Sequence, residues 1–150
     1  MRGRLHEVLA VLAAEPATLV HGDFRIENVV FDVAPEPGRP LIIDWQAVGR
    51  GHGAVDVAQI IALSLDPATR RAAEDHLLDR YAAAVRAVAG VAVSRDDLYE
   101  AYRLALVFPF AIGIAQTDMD TAQAGSDPGI WVTRAGEAVA DHGLPAWLSA

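Results

Sequence analysis

Residues 19–32, LVHGDFRIENVVFD, contain a His-Gly-Asp and, five residues after its Asp, an Asn, set between two short apolar runs. Two readings fit this stretch. Asp and Asn are common turn formers because their side chains bond their own backbone, so the segment can be an ordinary polar turn between strands. Alternatively, Asp-x-x-x-x-Asn lets a carboxylate (Asp23) and an amide oxygen (Asn28) converge from the two ends of one turn. Phosphoryl transfer uses such a pair: a carboxylate to orient and deprotonate the attacking hydroxyl, and a neutral oxygen ligand for Mg2+. It also needs a further carboxylate on the metal that bridges the nucleotide phosphates. Asp44 fits, because the apolar run 41–43 before it is expected to lie beside 28–31 and bring Asp44 near Asn28. Arg25, two residues after Asp23, can add positive charge near a transferred phosphoryl group. Taken singly, each residue has a plainer reading. Asp44 caps a strand end, His21 before Gly22 is structural, and Arg25 with Glu27 is a solvated turn pair. The conjunction of His-Gly-Asp, an Asn at plus five and an apolar strand ending in Ile-Asp-Trp favours the phosphoryl-transfer reading.

The flanking sequence predicts one mostly helical α+β unit with a small β element. Leu5, Val8, Leu9 and Leu12 recur at helical spacing over 3–14, and Pro16 follows the helix end. Three short strand-like runs follow at 18–20, 28–31 and 41–43. The last two are expected to form a hairpin across Pro35-Glu36-Pro37-Gly38. The glycine-rich 49–53 reads as a flexible loop. Residues 54–65 are nearly all apolar and predict a buried helix. Asp66-Pro67 supplies an N-cap and an N1 proline for a long helix over 67–89, closed by Gly90. Ser94, with Asp97 three residues on, starts another helix reaching about residue 117, with a kink expected at Pro109. Asp127-Pro128 repeats the cap signal for a last helix ending near His142.

Composition narrows the chemistry. The 150 residues are 53 % apolar, enough to bury a core. Net charge is -8, and acidic residues outnumber Arg in both halves, so no nucleic-acid footprint is indicated. The absence of Cys excludes disulfides, thiolate metal sites and a Cys nucleophile. All 12 basic residues are Arg; there is no Lys. The longest apolar run, 104–115, is too short to span a bilayer and contains Pro109, so no membrane partner is expected. MRGRLHEVLAVLAAEPA resembles a signal peptide only weakly, because His6 and Glu7 interrupt it, and it reads as the amphipathic helix of a cytoplasmic protein.

His21-Gly22-Asp23…Asn28, then Ile43-Asp44-Trp45, then Asp56-Val57-Ala58, resemble the aminoglycoside phosphotransferase family, which includes choline-kinase-like enzymes and has a protein-kinase-like fold. The motifs cover roughly residues 5–65. The resemblance implies that the chain is the C-terminal lobe of such a kinase, a small β-hairpin carrying its catalytic and metal-binding loops. It implies Asp23 as the base for a small-molecule hydroxyl, Asn28 and Asp44 as Mg2+ ligands, and ATP as phosphoryl donor. Asp56 would hold the catalytic loop through its backbone, with His21 a structural member of that loop. Two positions depart from the family pattern: Arg25 stands where a His is frequent, and Glu27 where a Gly is. The larger departure is length. The family's N-terminal lobe carries a strand Lys that grips the nucleotide phosphates, and this chain begins near the helix before the catalytic loop and has no Lys. Glycines 49–53 are not spaced G-x-G-x-x-G and do not fill that role, and His52 among them reads as a packing or surface residue. The later helices would supply the acceptor pocket. Their aromatics, Tyr99, Tyr102, Phe108, Phe110 and Trp131, sit at a spacing more typical of core. Asp118, Asp120 and Asp127 can bind a cationic acceptor or form a solvated loop. The expectation is therefore an incomplete kinase lobe. Its rivals are a non-catalytic interaction module, and one half of a split kinase completed by a separate N-lobe chain or by self-association. A metal-dependent phosphohydrolase is disfavoured, since the clustered His and Asp ligands of a two-metal site are missing.

Overall fold

The computed structural model describes residues 2–13, 17–32, 38–90, 92–118 and 128–149. The α+β, mostly helical class is borne out: seven helices and four short strands stand among the described residues.

Helix α1 (Arg2–Leu12) buries Val8 and Leu12 and leaves Leu9 half exposed. The strands that follow are nested. β1 (Thr18–Val20) pairs antiparallel with β4 (Gly49–Gly51), Val20 opposite Gly49, and between them β2 (Val29–Val30) pairs antiparallel with β3 (Leu41–Ile42), Val29 opposite Ile42. The outer pair closes around the inner one. As a result the loop entering β2 and the loop leaving β3 lie side by side, and these two loops carry the candidate chemistry. The expected hairpin is present, although its turn residues 33–37 lie outside the described ones. The glycine-rich segment is not the flexible loop its composition suggests: Gly49–Gly51 is a strand. It pairs with β1 along its ladder, and a Cβ at Gly51 would stand 3.5 Å from Val20.

α2 (Ala54–Ser64) is the hub. It packs on α3, α4, α5 and α6, and buries Ala54, Ala58, Ile61, Ala62 and Leu63. α3 (Pro67–Ala89) has the bounds expected of it. The Asp66 carboxylate accepts from Ala68 N and Thr69 N at 3.1 Å each, and Gly90 closes the helix with φ +66°. Ser94 caps α4 (Arg95–Ala105), accepting from Asp97 N. The long helix expected over 94–117 is broken one turn before Pro109, into α4 and α5 (Val107–Asp118). Proline cannot donate to the carbonyl four residues back and its ring collides with it, so the ladder is interrupted at Leu106, whose N–H is shared between Tyr102 O and Arg103 O. Arg95–Gln116 together has the length and hydropathy of a membrane span, as many core helices do, and Leu98, Ala101, Tyr102, Leu104 and Ala105 within it are core residues. α6 (Pro128–Asp141) ends close to where expected, and a short α7 (Leu144–Ser149), which no sequence signal announced, follows Gly143 at φ +65°.

The aromatics named from sequence are core, as their spacing suggested. Tyr102 is buried, Tyr99, Phe108 and Phe110 pack on the main cluster, and Trp131 forms a second cluster with Leu63 and Ala135. A polar network ties α3 to α4 and α6. Glu74 accepts from Arg70 (2.6 Å), from the Tyr102 hydroxyl (2.7 Å) and from His142 Nε2 (2.8 Å), while Arg70 also pairs with Asp141. Burial raises the Glu74 carboxyl, but the bonds from His142, Tyr102 and Arg70 outweigh it and hold it below the usual range.

Candidate functional site

The loop between β1 and β2 is held residue by residue from one face of α2. Asp56, in the first turn of α2, accepts from His21 N at 2.6 Å and from Gly22 N at 2.9 Å. One turn on, Gln59 Oε1 accepts from Phe24 N at 2.7 Å, and its Nε2 donates to Gly22 O at 2.9 Å. At the helix end Ser64 Oγ accepts from Ile26 N at 3.0 Å. Sequence reading singled out Asp56 but missed Gln59 and Ser64. The available signal was a Gln three residues after Asp56 within an otherwise apolar helix. Gln59 is 2 % exposed, and a buried amide needs specific partners.

His21 joins the two loops. Its Nε2 lies 2.8 Å from Ile43 O, and its Nδ1 receives Asp23 N at 3.3 Å. A carbonyl can only accept and a backbone N–H can only donate, so the ring is the Nε2–H tautomer. It also packs against Trp45, centroids 4.7 Å apart, and Phe24. Gly22 is required by geometry: its φ is +82°, and a Cβ there would lie 2.4 Å from Ala47 O of the opposing loop.

The loops bring Asp23 and Asn28 into contact and place Asp44 directly after a bond to the Asn28 backbone. Asn28, buried at the end of a 3-10 turn (Ile26–Asn28), donates through Nδ2 to Asp23 O at 2.8 Å and to Asp23 Oδ2 at 3.2 Å. Its amide oxygen is therefore the atom left to act as a ligand. Ile43 N donates to Asn28 O at 3.0 Å, which sets Asp44 one residue beyond that bond. Asp44 is exposed and left-handed, with φ 64° and ψ 56°, a backbone that costs a non-glycine residue about 1 kcal/mol or more and clusters at functional sites. An exposed carboxylate and an amide oxygen are hard donors of the kind Mg2+ takes, with phosphate oxygens and water completing its shell, so these residues fit that ion. Among the described residues no group of three or more His, Cys, Asp or Glu could hold a metal.

Arg25 stands beside Asp23, Nε 3.3 Å from Oδ1, with its guanidinium over the Trp131 ring, 4.5 Å from the centroid. Glu27 is exposed, in keeping with a spectator. Asp120 and Asp127 lie outside the described residues, as does the side chain of Asp118. On the other side of the loop is a largely apolar cavity of about 520 Å3, lined in part by His21, Phe24, Trp45, Asp56 and Tyr81 and by none of Asp23, Asn28 or Asp44. His52 lines it too, half-buried, accepting from Ala54 N at 3.2 Å, and burial lowers its pKa. Burial, with the charge of Asp56 nearby, raises that of Tyr81.

No curated protein matches the chain. A family model described as ecdysteroid kinase-like matches residues 1–90, which run from α1 through both strand pairs and both loops to the end of α3. The match supports a protein-kinase-like phosphotransferase and stops short of the aminoglycoside phosphotransferase family that the motifs resemble. The chain belongs to the ecdysteroid kinase-like family.

Proposed function

We propose that this chain is the catalytic lobe of a small-molecule kinase that moves the γ-phosphoryl group of ATP to a substrate hydroxyl. The observation that supports the reading is the bond of Asn28 Nδ2 to Asp23, with Ile43 N bonded to Asn28 O so that Asp44 follows directly in the facing loop. Asp23 takes the proton of the attacking hydroxyl. Its Oδ2 is oriented by Asn28, and its backbone N–H is held by His21. Asn28 Oδ1 and the Asp44 carboxylate hold Mg2+, which when bound neutralises charge on the nucleotide phosphates. Asp56 and Gln59 keep the loop in place, since positioning is most of what a protein contributes to this reaction. The family's description names an ecdysteroid, so a hydroxylated steroid is the acceptor class proposed here, ahead of the cationic aminoglycoside that the motif resemblance suggested.

A second element of the reading concerns the partner. The chain has no Lys to grip nucleotide phosphates. Beside the site, Phe31, Leu41, Ile43, Trp45 and Val48 are exposed apolar side chains. A nucleotide-binding lobe, on a separate chain or through self-association, is proposed to cover them in a cytoplasmic protein. A non-catalytic interaction module would use the same face and differ in showing no phosphotransfer.

The test is Mg2+-dependent melting of the parent and Asp44→Ala, with transfer of labelled phosphate from ATP to a panel of steroid alcohols and aminoglycosides. A magnesium shift that Asp44→Ala abolishes, with label on a steroid hydroxyl, is expected. Identical magnesium responses in the two proteins would sink the metal site, and label on aminoglycosides alone would move the acceptor class.

A further inference from the structure

Arg25 is held in an unusual way. A guanidinium carries five N–H donors in a planar fork. Its Nε is buried and has no hydrogen-bond partner among the described residues. The 3.3 Å approach to Asp23 Oδ1 is an ion pair without the alignment of a hydrogen bond. What fixes the group is the face of Trp131. The arginine side chain is 16 % exposed and that of Asp23 22 % exposed, so the pair is screened from water without being sealed.

Trp131 is itself immobilised. It is buried in the cluster with Leu63 and Ala135, against Phe110. Arg134, on the next turn of α6, donates to Leu63 O at 2.8 Å. Thus α6 is fastened to the C-terminal end of α2, the helix that also grips the 21–26 backbone. The ring and the loop are tied to one rigid body, and the guanidinium between them has a buried Nε–H with no hydrogen-bond partner among the described residues.

We propose that Arg25 is an exchangeable counter-ion and Trp131 its positioning residue. Before a phosphoryl group arrives, Arg25 pairs loosely with Asp23. A phosphoryl group offers two aligned, charge-assisted bonds in place of one misaligned ion pair. Arg25 then pivots on the indole face toward the phosphoryl oxygens, and Asp23, still held at Oδ2 by Asn28, is released to face the hydroxyl. Lysine would do this less well, because an ammonium lacks the planar fork that stacks on a ring while pairing bidentately. The inference rests on the phosphotransferase reading of the loop.

The experiment labels the three tryptophans with 5-fluorotryptophan and follows 19F NMR during titration with Mg2+ and inorganic pyrophosphate, with calorimetry on the same samples. Trp131→Phe assigns the signal. Trp147, which packs against Arg4 and Arg103, is the internal control. The expected result is that pyrophosphate moves the Trp131 signal and leaves Trp147 in place. Arg25→Lys leaves Trp131 silent. Trp131→Leu weakens pyrophosphate binding roughly fivefold although no charge has changed, the size expected for losing one cation–π contact. Trp131→Phe, which keeps a ring in the cluster, falls between the two and guards against a folding defect. Pyrophosphate binding with a silent Trp131, and affinity in both Trp131 variants within twofold of the parent, would overturn the inference and leave the phosphotransferase reading standing. No pyrophosphate binding to the parent would overturn the inference, while labelled-phosphate transfer from ATP tests the phosphotransferase reading separately.

Discussion

Replacing Gln59 with Leu tests whether α2 really dictates the shape of the loop between β1 and β2. The side chains are similar in size, so packing within the helix is nearly conserved, and two hydrogen bonds are lost. Phe24 N loses an acceptor at 2.7 Å and Gly22 O loses a donor at 2.9 Å. A backbone group stranded away from water costs about 1–3 kcal/mol, and both of these bonds are partly buried, so the lower half of that range applies to each. Burying a Leu in place of an amide returns about 1 kcal/mol. The net expectation is a loss of roughly 1–3 kcal/mol, a sizeable share of the 5–15 kcal/mol typical of a domain.

In urea, with a slope near 1.5–2 kcal/mol per molar for a chain of this size, the midpoint should fall by roughly 0.5–2 M with the slope unchanged. Amide exchange adds position: Phe24 N–H should lose protection while the amides in the middle of α3 keep theirs relative to the lowered global stability. Gln59→Glu sharpens the test. It keeps the acceptor for Phe24 but turns an oxygen toward Gly22 O in a position only 2 % exposed, so it should be at least as damaging at neutral pH and recover as the new carboxyl protonates. A midpoint shift of less than about 0.3 M for Gln59→Leu would refute the account, because the bonds would then be worth no more than water supplies.

Three further outcomes follow from the same structure. Gly22→Ala should cost more than about 3 kcal/mol or prevent folding, combining left-handed strain with the collision against Ala47 O. Gly38→Ala, with a similar φ of +80° but open space around it, should cost only about 1 kcal/mol; thermal melting of the pair separates strain from clash. Glu74 has its pKa held below 4.5 in the folded state, so its contribution to stability is complete above that value and is lost as pH falls through the lower folded one. Urea midpoints measured across the acid range should therefore decline, and Glu74→Gln should flatten part of that decline. Finally, the 150-residue chain, with no Lys, should bind ATP more weakly than micromolar; sub-micromolar affinity by calorimetry would show that its arginines can do the gripping.

How much was legible in advance depended on whether the determinant was local. The caps of α3 and α4 could be read because Asp66, Pro67, Gly90 and Ser94 act within one turn of themselves. The site motif was legible for a related reason: Asp23 and Asn28 are joined by a single turn, and the apolar run before Asp44 needed only one antiparallel pairing to bring it across. The glycine segment was misjudged because its partner, β1, lies about thirty residues upstream, and nothing in Gly-Arg-Gly says that a ladder will form. The break at Leu106 was placed a turn late for a physical reason. Proline's effect on a helix falls on the preceding carbonyl, so the visible residue and the damaged turn are different.

The same distinction explains why the proposed catalytic residues stood out and the residues that hold them did not. Asp23, Asn28 and Asp44 must be oxygen donors of particular kinds, so their identities carry information on their own. The grip on the loop is made mostly of backbone groups, His21 N, Gly22 N, Gly22 O, Phe24 N and Ile26 N, which every residue type possesses. Only the α2 side of each bond has a side chain to read, and there Asp56, Gln59 and Ser64 stand at intervals of three and five, an imperfect stripe amid Ala, Val, Ile and Leu. A polar stripe in a helix this apolar would be expensive if unsatisfied, so it implies a partner made of main chain. The stripe is visible in the sequence of α2 alone, and the rule is general: where a buried helix carries polar residues along one stripe, its partner is a loop whose backbone has no ladder of its own.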